Sequence, residues 1–214
     1  ECSVTYPSDS PSATAAYNAT ALKILNTAAH LFMQLGYRAV SINDIVKATG
    51  VTKPTLHYYF PDKAELFTQM ALLRLVQLQT SIDAALAGAD GLPGQLAALA
   101  GVLLNADDGD MRMLRHEMAE HLEPAHQERL NRAFYLHLFA PIQATMQRGI
   151  DAGELAPGSA AELTMLFLGL MEAFHGFGTQ LGRMPAQVGA LRPQVFSAEA
   201  LINLFLHGVG RVQS

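Results

Sequence analysis

Cysteine occurs once in the 214 residues, at Cys2, and tryptophan is absent. One thiol excludes a disulfide framework and a cysteine-built zinc site within one chain. It fits a reducing compartment, so a cytoplasmic setting is expected. Charge is scarce as well. Charged residues make up 15% of the chain and hydrophobic ones 50%, which excludes a disordered chain. Long apolar runs are missing. Residues 163–171 come nearest, but they contain Thr164 and are bracketed by Glu162 and Glu172. A bilayer-crossing helix needs ~18 such residues, so no membrane partner is expected. Strand-period alternation and internal repeats are also lacking, and the expected fold class is all-α. Residues 1–17 lack the basic start and apolar core of a secretory signal. Their Ser, Thr, Ala and Pro content reads as a flexible tail.

The formal charge of −5 argues at first against a nucleic-acid partner. Its distribution reverses the argument. Residues 18–75 hold six Lys or Arg against three acids, a net +3, whereas residues 76–214 hold eight Arg against fourteen acids. A cationic head on an acidic body is the electrostatic footprint of a phosphate binder, although +3 is modest.

Within that head, residues 41–60 read SINDIVKATGVTKPTLHYYF. Ser41 is placed to cap a helix, with Asp44 three residues on where a carboxylate meets free N–H groups. Ile42, Ile45 and Val46 share one helical face. Gly50 is placed to end the helix in a left-handed conformation. Thr52 is placed to cap a second helix, and Pro54 is tolerated in its first turn. Leu56, Tyr59 and Phe60 return to the core at helical spacing. Lys53, Thr55, His57 and Tyr58 are left outside, and that face carries no carboxylate. Residues 18–35 form a preceding amphipathic helix through Leu22, Leu25, Ala29 and Phe32, with Gly36 as its C-cap. Asp62 is placed to cap a long helix that runs to about Ala87.

The run Ser41, Ile45, Gly50, Val51, Thr52, Thr55, Leu56, Tyr58, Tyr59, Phe60 and Lys63, with Leu66 behind it, resembles the helix-turn-helix of the TetR/AcrR family of bacterial transcriptional regulators. The resemblance spans residues 18–70, and beyond it only the helical architecture is similar. Pro54 stands where the family usually has Gly, and His57 where it usually has Tyr. The resemblance implies a tail over 1–17, a three-helix DNA-binding domain over 18–64, and a larger ligand-binding and dimerisation domain over 65–214. It implies double-stranded DNA with a palindromic operator as partner. Lys53 is the expected base reader, with Thr55 and His57 against bases or phosphates and Pro54 beside them. Ser41, Thr52, Tyr58, Tyr59 and Lys63 are expected at phosphates. It further implies a repressor released by a small effector held in the C-terminal helices, without cofactor or catalysis.

The remaining chain is read as helices. Residues 88–94 are expected as a loop and 95–105 as a short helix. The acidic turn Asp107–Asp110 lacks the ligand spacing of a calcium loop. In the helix over 111–122, His116 and His121 are five apart and diverge by roughly 140°, so no zinc-protease pair forms. His116 with Glu120, and Glu117 with His121, suit surface pairing instead. A helix over 125–152 carries Pro141, expected to kink it and to open a cavity or water site near His137. The helix over 160–181 has one stripe of Leu163, Phe167, Leu170 and Phe174 and another of Gly169, Ala173 and Gly176. Residues 182–196 read as a loop, and a last helix over 198–211 presents Leu201, Leu204, Phe205 and Gly208. The small stripe and this last helix are the expected homodimer interface. Met113, Phe134, His137, Phe167, Met171 and Phe174 are the expected lining for an apolar effector. The alternative is a helical metal sensor or a small-molecule-binding protein without DNA binding.

Overall fold

A computed structural model describes residues 17–104, 111–182 and 198–207, with the helical backbone alone over 111–115 and 175–182. The described residues are helical, without strands. The helices are α1 (Ala19–Leu35), α2 (Ile42–Thr49), α3 (Lys53–Tyr59), α4 (Lys63–Ala87), α5 (Gly91–Leu104), α6 (Met111–His121) and α7 (Pro124–Phe134). A π-helical turn, Tyr135–Phe139, joins α7 to α8 (Ala140–Asp151); α9 (Ala160–Gly182) and α10 (Ala198–His207) follow. The expected loops at Asp107–Asp110 and at residues 183–196, together with the tail over 1–16, lie outside the described residues.

The described residues form two compact units, residues 17–77 with 111–134, and residues 78–104 with 135–182 and 198–207. The first unit is therefore larger than the head expected over 18–64. The reason is packing. Leu66, Phe67, Met70 and Leu73 of α4, and Leu122 and Leu130 around α7, are buried in one cluster with Ile24, Leu25, Phe32, Ile45, Leu56 and Phe60. The three head helices alone are too short to cover that core. Phe67 meets Phe32 edge-on at 5.2 Å and Tyr37 edge-on at 5.2 Å. Tyr17 is not part of a free tail; its hydroxyl bonds the Gln69 side chain of α4.

In the second unit α8 packs on α9, and α5 packs on α10, α8 and α9. Two local expectations change. The loop over 88–94 is shorter, because Gly91 already starts α5. Pro93 falls in that first turn, where no intrahelical N–H bond is lost. The kink at Pro141 becomes the π-helical turn just before it. One extra residue in the turn carries the His137 carbonyl away from the proline ring, so the helix continues past a residue that otherwise breaks it. His137 has a side-chain partner: its Nδ1 lies 2.5 Å from Gln79 Oε1. Burial lowers the His137 pKa, which favours the neutral ring.

Candidate nucleic-acid interface

Helix α2 is held by a reciprocal cap. The Asp44 N–H donates to Ser41 Oγ (3.2 Å), and the Ser41 N–H and hydroxyl donate to Asp44 Oδ2 (2.9 and 2.6 Å). These bonds to Ser41 hold the Asp44 carboxyl below its ordinary value. Gly50 ends α2 at φ +71°, a conformation that favours glycine. Thr52 then caps α3, accepting from the Thr55 N–H at 3.3 Å. Two such caps on helices of eight and seven residues matter, because helices this short do not persist alone. The turn between them is thus set by Ser41, Gly50 and Thr52, and Leu56 anchors α3 in the core.

On the opposite face of α3, Lys53, Pro54, His57 and Tyr58 are exposed, Tyr58 to 82%. The His57 Nδ1–H donates to the Pro61 carbonyl at 3.0 Å, which fixes the ring and leaves Nε2 free to meet a partner. Tyr59 is half-buried, and its hydroxyl oxygen accepts from Asn18 Nδ2 at 2.7 Å. Its proton stays available to an acceptor. Asn18 also caps α1 through the Ala21 N–H at 2.9 Å, so one residue ties the start of α1 to the end of α3.

Four of the expected DNA contacts sit differently. The Ser41 hydroxyl proton is committed to Asp44, whose carboxylate stands beside it. Ser41 shapes the head rather than presenting a donor. The hydroxyls of Thr52 and Thr55 bond each other at 2.8 Å. Lys63 does not extend freely from α4; its ammonium lies 4.2 Å from the centre of the Tyr37 ring. Burial lowers the Lys63 pKa, opposed by the charge of Glu117.

A polar network behind the head has no signature in the sequence. Glu65 of α4 accepts two bonds from the Arg129 guanidinium (2.7 and 3.1 Å) and one from Gln69 Nε2 (2.6 Å). His126 Nδ1 lies 3.0 Å from Thr68 Oγ1 and 3.6 Å from Glu65. The partners on α4 and α7 stand 58 to 64 positions apart in the chain, and no local pattern announces such a pairing. Burial alone raises the Glu65 pKa, but Arg129, Gln69 and His126 outweigh it and hold the carboxyl low. A depressed carboxyl stabilises the fold above its unfolded pKa, and that contribution is lost as pH falls through the folded value. Glu65→Gln is therefore expected to cost about 1–2 kcal/mol at pH 7. The cost shrinks towards zero as the pH drops below 4.5, the ordinary Glu value. Urea melts at neutral and acid pH measure it; equal losses at both would count against the network.

The expected effector residues fall in both units. Phe134 belongs to the first, and His137, Phe167, Met171 and Phe174 to the second. Phe167 and Met171 are buried, while the Met113 side chain lies outside the described residues. Of the expected dimer residues, Leu201 and Phe205 need correcting. Leu201 is already buried within one copy, and Phe205 meets Phe167 edge-on at 5.6 Å. They face the chain's own core because α10 completes the bundle around α5. Leu204 is half-buried, Gly169 and Ala173 are exposed, and Gly176 and Gly208 lie outside the described side chains. Met165 (65%) and Leu166 (61%) stand exposed on α9, a signal the stripe of small residues concealed. Among the described residues, no helix is long and apolar enough to cross a membrane. No group of three His, Cys, Asp or Glu among them could hold a metal.

Two short capped helices around a glycine turn, braced by α1 and presenting a carboxylate-free polar face, define a helix-turn-helix domain. Domains of this class set their second helix against duplex DNA. Residues 24–70 match the model of the bacterial regulatory proteins, tetR family. Over 47 residues the chain is 40% identical to the HTH-type transcriptional regulator AcrR of Shigella flexneri, an alignment that spans 22% of each chain. The sequence match thus covers about a fifth of that relative's length. The whole fold is similar to PfmR, a TetR family transcriptional regulator from Thermus thermophilus. The two are 26% identical with TM-score 0.65, covering 88% of this chain and 99% of that one. It is also similar to the transcriptional regulator FadR from Bacillus subtilis in complex with stearoyl-CoA, at 14% identity and TM-score 0.71, covering 88% and 99%. At that identity the likeness to FadR is one of fold. Residues 24–70 thus match the tetR-family DNA-binding domain, and the fold as a whole is similar to that of TetR family regulators.

Proposed function

We propose that the protein is a ligand-responsive transcriptional regulator, a homodimer that represses from a palindromic operator and is released by a small apolar effector. One observation carries the reading: the exposed face of α3 offers Lys53, His57 and Tyr58 and no carboxylate, on a helix fixed by Thr52 and Leu56. A lysine or imidazole suits base edges, and tyrosine hydroxyls suit phosphates. The exposed apolar face of α9, with Met165, Leu166, Gly169 and Ala173, is the surface offered to a second copy, joined by Leu204. A two-fold dimer sets two recognition helices about 34–36 Å apart and so reads a palindrome.

Phe167, Met171 and Phe174, with His137, are the proposed effector lining within the second unit. The long-chain acyl ligand in FadR supports a lipophilic occupant. Release requires that the effector bind the DNA-free form more tightly than the bound form. Helix α4 runs unbroken from the first unit into the second and is the proposed carrier of that difference.

Selection of binding sites from random duplex DNA by the purified protein tests the reading. An enriched palindrome with half-sites one helical turn apart, bound by a species of twice the chain's mass in sedimentation, is expected. A protein that enriches no sequence, or that stays monomeric with its site, would overturn it.

A further inference from the structure

The expected phosphate-binding lysine at the start of α4 is half-buried against the protein. Lys63 Nζ lies over the Tyr37 ring, and Tyr37 is itself packed by Phe32, Phe67 and His121. The charge of Glu117, on α6, acts on that ammonium. Glu117 is unusual in its own right. Its Oε2 is buried without a hydrogen-bond partner; His121 Nε2 comes within ion-pair reach at 3.3 Å but forms no hydrogen bond. Its Oε1 lies 3.0 Å from where a Cβ on Gly36 would stand, a tight contact for any side chain there. Gly36 closes α1 at φ +80°, so its missing side chain serves both the turn and the carboxylate. A buried acceptor without a donor is costly and calls for a reason. His121, 3.3 Å from that carboxylate, stacks on the Tyr37 ring, and the Lys63 ammonium lies over the same ring.

We propose that Glu117 is a positioning residue for DNA binding: with the Tyr37 ring it holds the Lys63 ammonium on the protein, so that α6 sets how readily the head takes a duplex. This rests on the DNA-binding reading above. To reach a phosphate, Lys63 must leave an aromatic face and the field of a carboxylate, both of which oppose the transfer. A movement of α6 that withdraws Glu117 frees the lysine; one that presses it closer retains it. The affinity of the head is then tuned from an element that touches no nucleic acid.

The test is a double-mutant cycle on the full chain, using a fluorescent duplex of the sequence recovered by selection. Glu117→Gln keeps the shape and removes the charge. It is expected to tighten binding about two- to five-fold in the wild-type background and to change nothing in a Lys63→Gln background. Equal tightening in both backgrounds would mean a general charge effect and would overturn the proposal, as would no tightening at all. A second readout does not depend on mutation. The Lys63 ε-methylene proton resonance, shifted upfield by the Tyr37 ring in the free protein, is expected to return to its ordinary position when the duplex is added. Retention of the upfield shift in the complex sinks the inference. Failure of the wild-type protein to bind any duplex defeats the DNA-binding reading itself, a result the cycle separates from failure of this inference alone.

Discussion

Lys53→Ala combined with His57→Ala is expected to weaken operator binding by more than about a hundred-fold while leaving folding and dimerisation intact. Each good contact to a base edge discriminates by about 1–3 kcal/mol, and each subunit of the proposed dimer loses two side chains. Both residues are exposed, so no cavity forms. The single bond given up within the protein joins His57 to the Pro61 carbonyl and is solvent-exposed, worth about 0.5 kcal/mol. Alanine is also a good helix former, so α3 keeps its length. Gel-shift titration of the double variant beside the wild type, with circular dichroism melts of both, measures the two halves of the expectation. Undiminished binding would remove α3 from the interface. Loss of binding together with a large drop in melting temperature would show damage to the head rather than to recognition.

Phe67→Ala is expected to be the most damaging single core substitution, costing about 3–5 kcal/mol of stability in the first unit. Phe67 is 1% exposed and edge-on to both Phe32 and Tyr37. Its loss opens a cavity between α1 and α4 that rigid helices cannot collapse into, and it removes two aromatic contacts. A domain of this kind is stable by about 5–15 kcal/mol, so the change takes a large share of the total. DNA binding is expected to fall with it, because Leu56 and Phe60, which seat α3, share that core cluster with Phe67. Chemical denaturation followed through a probe in the head checks the figure. A loss below about 1 kcal/mol would mean that the aromatic cluster is not the keystone of the first unit.

How far each feature is legible in the sequence depends on the distance over which it is determined. The caps of α1, α2 and α3, the left-handed Gly50 and the start of α4 at Asp62 depend on residues three or four apart, and they stand where the spacing puts them. Pro93 and Pro141 look like breakers in the sequence, yet one lies in a first turn and the other behind a π-helical turn. The outward face of α3 is legible because Leu56 and Phe60 fix which side is inward. The roles of Ser41 and Lys63 are not. Each side chain has a partner in the protein, Asp44 in one case and Tyr37 in the other, that competes with a phosphate.

The sequence by itself determined the helical class, the helix-turn-helix and the cationic head, because periodicity, capping and charge act within one or two turns of chain. Only the tertiary structure decided that α4 and α7 belong to the head's core, that Glu65 gathers Arg129, His126 and Gln69, and that Leu201 faces inward. It also decided that Glu117 stands beside Gly36. Those features join residues far apart in sequence, and which distant side chains meet is set by how whole helices pack.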